Sequence, residues 1–178
     1  MTRRIIQIGL PVVLVAAVAG VSVWALSINR GTVTPTPDRS ADTPTIKHLA
    51  GSYLSFNYSS IYSVDPAHLG TNELEAYNLT TATSYEKHVA IAVTRLTVPL
   101  DQDTDYSSRK THPELYTQQS LITPAGTAVE FIRQDGTERT VFLTHGTMVA
   151  SLAFVSMSKL DDVQSEITTM LDTVQWEQ

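Results

Sequence analysis

The feature that most restricts this chain is a run of 24 residues, Ile5 to Ile28 (IIQIGLPVVLVAAVAGVSVWALSI), which carries no charged side chain. Gln7 is its one strongly polar member. As a helix it would reach about 36 Å at 1.5 Å per residue, enough to cross a hydrocarbon core of about 30 Å with some tilt. A core helix of a soluble domain needs a polar face toward water, and this segment has none. The length exceeds the apolar core of about 7–15 residues usual in a cleaved signal peptide. Ala17-Val18-Ala19 before Gly20 is the small-residue site a cleavage reading would use. The reading adopted is a retained signal-anchor: residues 1–4 as a cytoplasmic tail and 5–28 as a single transmembrane helix. Pro11 would kink its first half, and Trp24 would sit near the far interface, where indoles are favoured. Arg3 and Arg4 precede the span and Arg30 follows it, which favours a cytoplasmic N-terminus and an extracytoplasmic C-terminal domain at the cell membrane.

Residues 29–46 follow as a Pro/Thr-rich linker. Pro35, Pro37 and Pro44 stiffen it toward an extended form, and it holds too few apolar residues to build a core. Residues 47–178 are long enough for one domain. From Thr45 onward sixteen Asp and Glu face eight Lys and Arg. Such a domain repels phosphate backbones, so nucleic acid is excluded as a partner, and direct docking on anionic lipid is disfavoured. The chain has no cysteine, so disulfides, thiolate metal sites, cysteine nucleophiles and a lipidated cysteine are all ruled out.

Hydrophobic periodicity then sketches the domain. Tyr53 to Tyr58 alternates, with Leu54, Phe56 and Tyr58 on one face; Leu74 to Leu79 and His88 to Val98 are further strands. Residues 99–112 read as a polar loop, and Pro113 to Ser120 as a short helix with proline in its first turn. Thr127 to Arg133, Thr137 to Thr144 and Thr147 to Met157 form a three-stranded antiparallel meander turning at Asp135-Gly136 and His145-Gly146. Leu160, Val163, Ile167, Met170, Leu171 and Val174 recur at spacings of three and four, the stripe of an amphipathic helix, with Ser158 and Asp161 as a capping pair. The expected class is α+β: an antiparallel sheet with the C-terminal amphipathic helix on one face, preceded by the transmembrane helix.

The order of these elements resembles the PsbP-like fold, named from an extrinsic subunit of photosystem II. The resemblance rests on the aromatic opening strand SYLSFNYSSIY, the meander AVEFIRQDGTERTVFLTHGTMVASLAFVS and the closing helix that ends at Val174-Gln175-Trp176. It spans roughly residues 47–178 and departs from the family where Ser59-Ser60 stand in place of a proline. It implies a sheet sandwiched by helices and a role in binding or assembly, and it carries over no catalytic residues.

Residue chemistry points the same way. The five histidines, His48, His68, His88, His112 and His145, form no zinc-binding spacing. Asp101, Asp103 and Asp105 alternate as in a calcium loop, but Tyr106 and His112 stand where glycine and a bidentate acid are required, which leaves a solvated acidic loop with at most weak divalent binding. No nucleophile elbow, phosphate loop or dinucleotide fingerprint occurs, so no cofactor is implied. Glu73 and Glu75 read as solubilising charge on a strand face. Asn57 and Asn78 head glycosylation sequons. Tyr53, Phe56, Tyr58 and Tyr62 form a candidate binding patch, since exposed aromatic groups mark interfaces. The expectation is a membrane-anchored, extracytoplasmic, non-catalytic binding domain for another protein or an envelope component. The alternatives are an envelope enzyme with a site drawn from loops such as Asp101 to His112, and a small-ligand carrier using the space between sheet and helix.

Overall fold

The computed structural model describes residues 44–81, 84–157 and 160–177. The expected span 5–28, its tail and nearly all of the linker lie outside them. Among the described residues no helix is long and apolar enough to cross a membrane.

Among the described residues ten strands run in chain order. They are β1 (Ile46–Ala50), β2 (Leu54–Ser59), β3 (Tyr62–Pro66), β4 (Glu73–Thr81), β5 (Ser84–Arg95), β6 (Tyr116–Thr123), β7 (Gly126–Arg133), β8 (Glu138–His145), β9 (Met148–Ser156) and β10 (Gln175–Trp176). Helix α1 (Thr104–Lys110) lies between β5 and β6, and α2 (Gln164–Leu171) between β9 and β10. Seven strands form one antiparallel sheet in the order β3-β4-β5-β9-β8-β7-β6, and β1-β2-β10 form a smaller one. The α+β class stands. The single sheet becomes two, and helices occupy both faces of the larger.

Strand alternation explains the layering. Val89, Ile91 and Val93 of β5, Leu152 and Phe154 of β9, and Val141 and Leu143 of β8 all point inward and are almost wholly buried. They meet Leu54 and Phe56 from the small sheet and Leu160, Val163, Ile167, Met170, Leu171 and Val174 from the C-terminal segment. The stripe predicted from periodicity is therefore fully interior, each side chain contributing about 1.5–3 kcal/mol by leaving water. Its start differs from the expectation. A 3-10 turn over Leu160–Val163 precedes α2, and Val163 caps it with no side-chain bond; Ser158 lies outside the described residues.

The meander is present, as β7, β8 and β9. Gly136 (φ 74°) and Gly146 (φ 59°) supply the left-handed backbone of its two turns. Asp135 accepts from the Thr137 hydroxyl at 2.6 Å and from its N–H at 3.0 Å. These bonds, the hydroxyl's first, hold the Asp135 carboxyl below the usual range.

Four segments differ from the expectation. The supposed polar loop 99–112 contains α1. Asp103 caps it, accepting from Asp105 N–H at 3.0 Å and Tyr106 N–H at 3.1 Å, and Tyr106 anchors it by packing edge-on against Phe131 and Phe142 at 5.3 Å each. The supposed helix 113–120 makes only one turn, closed by Leu115 and Tyr116 N–H on His112 C=O at 3.0 Å. The chain then pairs as β6 along the whole of β7, from Tyr116 opposite Arg133 to Thr123 opposite Gly126. Pairing along eight residues outweighs the weak helical preference of Gln, Ser and Thr. Ile46, assigned to the linker, belongs to β1, opposite Ser59, and the strand expected over His88 to Val98 stops at Arg95.

Candidate functional site

The outward face of the large sheet is covered unevenly. Over β7, β8 and the start of β9, Tyr106, Phe131, Phe142 and Val149 form a second small core beneath α1. Over β4, β5 and the rest of β9 the same face carries small side chains instead. The register sets Ala76 beside Ala92 and Asn78 beside Ala90. On the other side of β5, Ser151 stands opposite Ala92 and Ala153 opposite Ala90. The result is a hollow of about 280 Å³, walled by Ala67, His68 and Glu73 on one side and by Asp105 of α1 on the other. A second hollow of about 510 Å³ shares Asn78 with it and continues to Asp65, Thr80 and His88.

Both walls are fixed. On one side, Ala67 N–H bonds Ala76 C=O at 2.9 Å, and Arg95 N–H bonds Asn72 C=O at 2.9 Å. Asn72 adopts φ 67°, a left-handed conformation that asparagine tolerates better than most residues. On the other side, Arg109 ties α1 to the sheet. Its Nε and Nη2 donate to Glu138 Oε1 at 3.2 and 2.7 Å, and its Nη1 donates to the Asp105 carbonyl at 3.1 Å and to the Asp105 carboxylate. Tyr116 O–H donates to Glu138 Oε2 at 3.1 Å. Burial works against the Arg109 charge, yet the bonds from Asp105 and Glu138 outweigh it and hold its pKa above the ordinary value.

Chemically the hollow offers an apolar floor of alanines with separate polar groups: the Asn78 amide, the Ser151 and Thr80 hydroxyls, the His68 and His88 imidazoles and the Asp65, Glu73 and Asp105 carboxylates. Glu73 is engaged, accepting from Gly70 N–H at 2.5 Å. Among the described residues no group of three or more His, Cys, Asp or Glu is placed to hold a metal ion. The arrangement suits surface recognition with a bias toward positive charge.

The residues expected to act lie elsewhere. Phe56 and Tyr62 are 0% and 4% exposed, so they pack the core and present no surface; Tyr53 and Tyr58 are half-buried against that core. All four sit away from the hollow, and together they present no exposed aromatic patch among the described residues. The acidic run is not a simple solvated loop either: Asp103 caps α1 and Asp105 pairs with Arg109. Glu75 is no solubilising charge. It is 7% exposed, and its Oε2 accepts from Ser52 N–H at 2.6 Å and Tyr53 N–H at 2.8 Å, binding the β1–β2 turn to β4. The bulge between Glu73 and Glu75 breaks the alternation that would have put both on one face. Asn57 Oδ1 accepts from His48 Nδ1 at 2.8 Å, and the His145 ring lies 5.3 Å from that of Trp176.

A seven-stranded sheet flanked by a helix on one face and by a helix and small sheet on the other defines the domain as one of PsbP-like fold. It is similar to the solution structure of cyanobacterial PsbP (CyanoP) from Synechocystis sp. PCC 6803, with a TM-score of 0.53 and 8% sequence identity over 78% of this chain and 96% of that one. At that identity the likeness is one of fold. No family model and no curated protein matches the chain.

Proposed function

We propose that this chain is a membrane-tethered, non-catalytic binding module whose hollow over β4, β5 and β9 receives a basic segment of a protein partner in the extracytoplasmic space. Residues 5–28 serve as the anchor and 29–45 as the stalk between it and the domain. The observation that carries the reading is the hollow itself: at Ala90, Ala92, Ser151 and Ala153 the middle of β5 and β9 keeps only alanine or serine on the outward face, while the inward face is fully packed. Small side chains leave room for another surface, and the Asp65 and Glu73 carboxylates set its sign. The PsbP-like fold supports a binding role over chemistry, and the uncharged run Ile5 to Ile28 supports the tether.

Crosslinking in intact cells, with a C-terminal tag and mass spectrometry of the captured material, tests the reading. One dominant stoichiometric partner in the membrane fraction is expected. Recovery of lipid and abundant background proteins alone would overturn it.

A further inference from the structure

A β-sheet edge exposes unpaired N–H and C=O groups, and proteins usually blunt such edges with charge, proline or brevity. Among the described residues the two sheets end at β3, β6, β1 and β10. Three of these are blunted. Strand β3 carries Asp65 and Pro66, β1 carries Lys47, and β10 is two residues long. Strand β6 is not. Its eight residues, Tyr-Thr-Gln-Gln-Ser-Leu-Ile-Thr, contain no charge and no proline; Thr117 to Ser120 are exposed, and Ile122 is 86% exposed. A domain with twice as many acids as bases keeps one long, uncharged edge.

We infer that β6 is an interface between two copies of this chain, paired antiparallel edge to edge so that two seven-stranded sheets become one. One consideration permits a second copy as the occupant and another selects it. Two acidic domains repel over most of their surfaces, and β6 is the strip where they can approach without opposing like charges. The strand is also self-complementary about Gln119. A two-fold axis normal to the sheet must place opposite residues on the same face, and centred on Gln119 it sets Ile122 against Tyr116 of the second copy. The same register sets Leu121 against Thr117 and Ser120 against Gln118. The pairing places the most exposed isoleucine on the joined sheet beside an aromatic residue of the same face, a favourable cross-strand combination. Strand pairing alone buries less than the roughly 1,600 Å² of a standard interface, so the dimer is weak and concentration-dependent.

The chain has no cysteine, which makes single-cysteine crosslinking clean. In membranes holding the full chain, Gln119→Cys should give a disulfide-linked dimer on mild oxidation, because the two Cα atoms meet within the reach of about 7 Å. Ile122→Cys should give none, since the two positions stand about 20 Å apart in that register. In parallel, light scattering of the detergent-solubilised full chain up to about 0.1 mM should show a monomer–dimer equilibrium, with Ile122→Lys weakening association at least about tenfold. Equal crosslinking at both positions, a dimer untouched by Ile122→Lys, or a chain monomeric throughout would each overturn the proposal. The last result would leave the edge to a strand from another protein.

Discussion

Tyr62 shows how far a side chain's place in the core departs from what its polarity suggests. Its phenol is pushed up to about 12, by burial first and by the Glu166 carboxylate second. An unfolded tyrosine loses its proton near about 10. The folded state therefore holds the proton longer, and the stability this group contributes is complete below about pH 10 and is lost as pH rises through about 12. Thermal unfolding between those limits should show a loss on the order of 2 kcal/mol, and Tyr62→Phe should flatten that limb of the profile. Glu75 and Gly51 give a second residue-scale test. A Cβ on Gly51 would fall 2.0 Å from Glu75 Oε1 and 2.8 Å from the Leu54 carbonyl. Glu75→Ala removes the acceptor of two part-buried N–H groups, those of Ser52 and Tyr53, and should cost about 1–3 kcal/mol. Gly51→Ala should destabilise through collision with the same carboxylate, so the double variant should cost less in urea denaturation than the two singles added together.

At the scale of elements, β7 to β9 and the C-terminal stripe were legible because turn glycines and strict periodicity point the same way there. Helix α1 was hidden by its polarity. Asp103 as cap, Asp105 in the first turn and Arg109 with Lys110 in the last form a complete set of helix signals, but a seven-residue helix buries only Tyr106 and shows no stripe. Asp103→Ala should loosen α1 by about 1 kcal/mol, read as faster amide exchange at Asp105 and Tyr106 with the rest of the sheet unchanged. Strand β6 was misread because Pro113 suggested a helix start and its side chains alternate weakly; its partner β7 decides its state. The small sheet was invisible for the same reason, since β1 and β10 exist through pairing with β2.

At the scale of the whole molecule, the candidate site was written in the sequence in a form that is easy to pass over. In VAIAV of β5 and LAF of β9, large inward residues alternate with small outward ones, and that alternation supplies both the packed core and the hollow. The expectation had looked instead to large aromatics, two of which the core consumes. Filling the floor should separate binding from folding: Ala92→Arg, placed on the outward face, should leave the unfolding midpoint within a few degrees while abolishing capture of the partner in the crosslinking experiment. The account stands most directly on which surface the partner touches. A photoreactive side chain at Asn78, exposed in the hollow, should join the domain to one protein in intact cells, whereas the same group at the exposed Gln164 of α2, on the opposite side of the sheet, should not. Equal labelling from both positions, or adducts from Gln164 alone, would contradict it.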